Sequence, residues 1–138
     1  MMNIFIRVSL VFAAGVFGAS LNRIVAWLFG ITGISSSLGV NFAPPLSEGF
    51  IYSGLVWGGI WGLIFLLPYL KKNFVLRGTV YGIAPSLVML IVVFPFWFNC
   101  GMMGLKLGKL MPLLVFIFNT VWGVGAAWWL KLAGEDKA

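Results

Sequence analysis

The sequence contains no histidine, one cysteine and three acidic residues. Without an imidazole there is no histidine ligand for haem, copper or zinc, and no histidine to act as a general base. Cys100 has no second cysteine with which to close an intrachain disulfide. Nothing beside it in sequence favours a thiolate, so an inert thiol is expected. Acid–base or metal-assisted chemistry on carboxylates needs acids in pairs. Glu48, Glu135 and Asp136 are the only acids, and the last two lie in the C-terminal tail. A glycine-rich loop followed by Lys-Ser or Lys-Thr, the cradle of a nucleotide phosphate, is missing too. These absences argue against an enzyme, and no cofactor or metal is expected.

Charge is scarce as well. Charged residues make up 9% of the 138 positions and hydrophobic residues 62%, against roughly 25% charged in an ordinary soluble domain. A soluble fold this apolar has too little polar surface to cover itself, whereas a bilayer accepts apolar side chains on the outside. The expectation is an all-α integral membrane protein, a four-helix transmembrane bundle in one domain. A β-barrel would alternate apolar and polar residues, and these runs do not alternate. Four apolar runs of about 20 residues, the length one crossing needs, use nearly the whole chain. They lie at about 4–29, 50–70, 78–98 and 110–130. Residues 30–49, rich in Gly, Ser and Pro, read as a loop. Pro85 and Pro95 predict kinks in the third run, and Pro112 sits near the start of the fourth, where a helix tolerates it. The polar tail from Lys131 to Ala138 reads as frayed. A signal peptide starting at Arg7 is disfavoured, because apolarity resumes through Ile24 to Phe29.

The net charge of +6 would suggest nucleic acid in a soluble protein. Here the basic residues flank apolar runs, so anionic lipid headgroups are the expected partner and nucleic acid is not. With both termini cytoplasmic, the inner side holds Arg7, Lys71, Lys72, Arg77, Lys131 and Lys137. The outer side holds Arg23, Lys106 and Lys109, six against three of the nine basic residues. That bias predicts an N-in/C-in orientation with loop 30–49 on the non-cytoplasmic side. Compactness and the lack of a eukaryotic sorting signal point to a bacterial cytoplasmic (inner) membrane.

Small residues recur every four positions in each run. The rows are Ala14, Gly18 and Asn22; Gly54, Gly58 and Gly62; Gly78, Gly82 and Ser86; and Asn119, Gly123 and Ala127. Such a row lies on one helical face, and small faces let backbones approach in lipid. The rows predict packing within the bundle, with a homodimer seam or a docked partner helix as the other use. Leu38-Gly39, Pro45-Leu46 and Val56-Trp57-Gly58 are echoed by Leu107-Gly108, Pro112-Leu113 and Val121-Trp122-Gly123. A tandem hairpin repeat and chance both account for that echo.

Polar residues gather toward the outer half. Asn22, Arg23, Glu48, Ser86, Asn119 and Thr120 form a candidate polar site, with Arg23 as its charge and Glu48 as the expected counter-ion. The plainer expectation is that Arg23 snorkels to headgroups while the amides bridge helices. The stretch Gly18-Ala19-Ser20-Leu21-Asn22-Arg23 resembles the first helix of small dual-topology fluoride channels, which carry Gly-Ala followed by an arginine. The arginine is displaced by one position here, and their threonine/serine-phenylalanine segment is absent from the third run, so their ion sites are not transferred. Two function classes follow. One is a structural or accessory subunit, packing with itself or a larger membrane complex. The other is a minimal oligomeric transporter or channel for a small anion or polar solute, using Arg23.

Overall fold

A computed structural model describes residues 3–135; Asp136 and Lys137 of the tail lie outside them. It is all-helical. Four helices are long and apolar enough to cross a membrane: α1 (Ile4–Ile31), α2 (Glu48–Leu66), α3 (Phe74–Trp97) and α4 (Met111–Leu132).

Their boundaries follow local chemistry. The Asn3 side chain accepts a hydrogen bond from Ile6 N at 3.0 Å and opens α1, which then runs unbroken through Asn22 and Arg23. The Ser47 hydroxyl accepts from Phe50 N at 3.3 Å and opens α2. Helix α2 was expected to reach residue 70. It instead tightens into a 3-10 turn and stops at Leu66, because Leu67 precedes Pro68 and is extended. Helix α3 starts four residues earlier than its apolar run, since the Asn73 side chain caps Leu76 N at 3.1 Å. That places Arg77 inside the helix. Pro85 and Pro95 lack the N–H that an α-helix needs. Accordingly α3 is interrupted at Gly82 and winds as a π-helix over Met89–Trp97. The loop expected over 30–49 is shorter at both ends, since α1 runs to Ile31 and α2 starts at Glu48; residues 32–47 form it, with one helical turn at Ile34–Ser37.

The helices pack in the spatial order α2, α1, α4, α3, so α1 and α4 form the centre. The core has two storeys. Val11, Ala14, Phe65, Tyr81, Trp122 and Leu130 fill one. Val40, Leu90, Phe94, Met111, Leu114 and Phe118 fill the other, with Val40 supplied by the long loop. The end near Arg7, Lys71 and Lys131 is called the basic end below, and the opposite end the loop end.

Glycine sets the helix separations. A methyl group on Gly15 would strike the Gly58 carbonyl oxygen and lie 2.9 Å from Gly62 Cα, so α1 and α2 touch backbone to backbone. Gly18 is in the same relation to the Trp122 carbonyl of α4, and Gly78 to Gly123 and Val124 across the α3–α4 seam. Gly82 lies against Asn119, Gly58 against Ala19, and Ala14 and Ala127 are fully buried. Gly15 belonged to no expected row. As a central helix, α1 needs two small faces: Gly18 and Asn22 toward α4, Gly15 and Ala19 toward α2. At the loop end the two Leu-Gly dipeptides meet. Gly108 lies on the Gly39 carbonyl, and Asn41 N donates to Leu107 O at 2.7 Å. Gly39 has φ +74°, a left-handed conformation that suits glycine.

Candidate functional site

Two polar layers cross the bundle, one at each end. The layer at the basic end begins with a helix that stops abruptly. When α2 breaks off before Pro68, its last carbonyls lose their intrahelical donors. Side chains from elsewhere take their place. Arg77 Nη2 donates to Phe65 O at 2.8 Å, and just past the helix end the one Tyr81 hydroxyl proton is shared between Leu67 O, at 3.2 Å, and Tyr69 O, at 3.0 Å. Arg7 Nη2 reaches Leu66 O at 3.5 Å.

Arg77 is buried, and its other terminal nitrogen donates to Glu135 Oε2 at 3.0 Å. Glu135 is 1% exposed and draws two further cations, Lys71 Nζ at 3.5 Å and Arg7 Nη2 at 3.9 Å. One carboxylate thus joins the start of α1, the α2–α3 connection, α3 and the segment after α4. The guanidinium of Arg77 also lies over the rings of Phe65, at 5.1 Å, and Tyr81, at 5.7 Å. Lys131 covers Phe74 at 4.8 Å. For Lys131–Glu135 the expectation of a frayed tail fails: α4 runs to Leu132, Gly134 turns with φ +78°, and Glu135 folds under the bundle. Arg7, Lys71, Lys72 and Arg77 were expected to form a fringe for lipid, and Lys72 is exposed. Arg77 is instead enclosed, while Arg7 and Lys71 remain partly exposed. The available signal was that Glu135 is the first acid in a tail predicted to lie on the same side as six basic residues.

The loop-end layer contains the residues singled out from sequence, but it divides them among separate seams. Asn22 Nδ2 donates to Phe118 O at 2.8 Å, tying α1 to α4. Asn119 Nδ2 donates to Ser86 Oγ at 3.1 Å, and Ser86 Oγ donates to Gly82 O at 2.8 Å, tying α4 to α3. Deeper in the bundle, Trp122 Nε1 donates to Gly15 O at 3.1 Å. Thr120 is half-buried on α4. Arg23 turns to the other side, toward α2, where its guanidinium lies 4.4 Å from the centre of the Phe50 ring. Its expected partner Glu48 forms no ion pair with it: every ion pair among the described residues is made to Glu135. Glu48 is exposed in the first turn of α2, where the helix N-terminus favours a negative charge.

Comparison of the chain with protein-family models, curated proteins and solved structures gives no match.

Proposed function

We propose that the chain is a multi-pass membrane protein of a bacterial cytoplasmic membrane, serving as a structural or accessory subunit that packs with itself or within a larger membrane complex. Membrane insertion is supported by the four apolar helices and by the depth of the charged layers. Arg23 follows Arg7 by sixteen residues on one unbroken helix. At 1.5 Å per residue their levels are about 24 Å apart, close to the hydrocarbon thickness of about 30 Å. Charge therefore lies near both boundaries and is sparse between them. An orientation with both ends cytoplasmic puts Arg7, Lys71, Lys72, Arg77 and Lys131 inside.

The native Cys100, half-buried beyond the outer end of α3, reports this orientation without any substitution. A membrane-impermeant maleimide added to intact cells is expected to label it. A cysteine at position 72, Lys72→Cys in a Cys100→Ser background, is expected to react only after the cells are opened. The reverse pattern would mean the opposite orientation.

The structural role is supported by one observation above all: the polar side chains of the loop-end layer, and Trp122 deeper in the bundle, act as ties from helix to helix. Asn22, Asn119, Ser86 and Trp122 each bond to a neighbouring helix or to the backbone, which is how polar groups hold helices together in lipid. Purified protein in liposomes is expected to pass ions and small polar solutes no faster than empty vesicles. In mild detergent it is expected to stay assembled with itself or with another membrane subunit. A small-anion flux that Arg23→Gln abolishes would replace this role with that of a minimal oligomeric channel or transporter.

A further inference from the structure

We propose that Arg23 is a seat for one phosphate-bearing anion at the loop end, supplied either by the headgroup of an anionic phospholipid or by free phosphate. The seat is built by α2. Gly54 is buried, and a methyl group there would run into Arg23 Nε and lie 2.7 Å from its Cζ. Phe50, one turn earlier on the same face, holds its ring 4.4 Å from the guanidinium. A missing side chain and an aromatic face thus fix the arginine along the α1–α2 seam. Its position is set, but its charge is unanswered. Nε is buried without a hydrogen bond, and Arg23 has no ion pair among the described residues. Asn22 beside it is already engaged with Phe118 O.

A held, partly buried guanidinium without an ionic partner favours an anion, because drawing such a charge even part-way out of water unpaired is unfavourable. Its terminal nitrogens form a planar fork that matches two phosphate oxygens. Arg23 lies about 24 Å along α1 from the Arg7 layer by helical rise, a depth at which lipid phosphates are within an arginine's reach. The contrast with the basic end supports the assignment. There, three cations already share an internal carboxylate; here Glu48, exposed in the first turn of α2, forms no ion pair with Arg23 among the described residues.

The lipid source depends on the membrane reading above, and free phosphate does not. The test compares wild type, Arg23→Gln, Arg23→Lys and Gly54→Ala. The last displaces the arginine from its seat but keeps its charge. Each protein is placed in nanodiscs of phosphatidylcholine with a minority of phosphatidylglycerol, and retained lipid is counted by native mass spectrometry. Wild type is expected to retain phosphatidylglycerol with about tenfold preference over Arg23→Gln and Gly54→Ala, with Arg23→Lys between them. In detergent, inorganic phosphate is compared with chloride at equal ionic strength. A rise in melting temperature confined to wild type identifies free phosphate as the ligand. Equal lipid retention together with equal phosphate response in wild type and Arg23→Gln overturns the seat. Failure to enter nanodiscs at all counts against membrane insertion instead, and the phosphate comparison still decides the seat. Should Gly54→Ala not fold, Arg23→Gln carries the test alone.

Discussion

Arg77→Met is expected to lower the unfolding free energy of the purified protein by about 3–5 kcal/mol, measured by thermal or denaturant unfolding in detergent. The reason is what the substitution leaves behind. Glu135 would stay buried with only Lys71, at 3.5 Å, and Arg7, at 3.9 Å, for partners. Both are partly exposed and poorly placed to replace the 3.0 Å hydrogen bond from Arg77. Phe65 O would lose its donor as well. Breaking a buried pair from one side strands a charge, and the loss is large for that reason.

The opposite truncation should be milder. Glu135→Gln leaves Arg77 its bond to Phe65 O and the faces of Phe65 and Tyr81. A loss of about 1.5–3 kcal/mol fits a single charge-assisted bond. Removing both charges with apolar groups of similar volume, Arg77→Met with Glu135→Leu, should recover much of what Arg77→Met alone loses, because no stranded charge remains. Lys71 and Arg7 can then turn outward. If Arg77→Met unfolds within about 0.5 kcal/mol of wild type, the range of an ordinary surface change, the Glu135 cluster is not part of the folded core.

What the sequence revealed and what it concealed divide along physical lines. Four apolar runs were legible because each is long enough to announce a helix by composition alone. The prolines announced where α3 would deform, although not that its second half would widen to a π-helix. Helix ends were less legible, because they depend on a single side chain. Pro68 shortened α2 and Asn73 lengthened α3, and together these carried Arg77 from an expected loop into the interior. The Glu135 cluster draws on segments 58, 64 and 128 positions apart in sequence, so no local pattern could encode it. Arg23 was identified as the intramembrane charge, but the natural guess at its partner failed. Glu48 was chosen because it was the only acid on that side, and availability says nothing about geometry. The spacing of four found one face of each helix. It missed Gly15 because α1 contacts two neighbours, and a single-face search gives up one of them.

Gly15 also carries the other large expected effect. Gly15→Ala adds one methyl group, which would meet the Gly58 carbonyl oxygen, Gly58 C at 3.0 Å and Gly62 Cα at 2.9 Å. All three are backbone atoms that cannot rotate away, so the helices must separate. Overpacking of this kind costs about 1–3 kcal/mol, and the higher helix propensity of alanine returns at most about 1 kcal/mol of it. Where close contact rather than exclusion of water holds helices together, separating a seam weakens every contact along it. Gly49 is the control. A methyl group there meets nothing within 4 Å, so Gly49→Ala should fall within about 0.5 kcal/mol of wild type or slightly above it. Combining substitutions distinguishes the seams. Gly15→Ala opens the α1–α2 contact and Gly78→Ala the α3–α4 contact, so their losses should add. Gly78 and Gly123 face each other across one seam. Once Gly78→Ala has parted α3 from α4, Gly123→Ala should cost clearly less than it does alone. Full additivity of Gly78→Ala with Gly123→Ala, or indifference to Gly15→Ala, would show that these helices do not meet backbone to backbone.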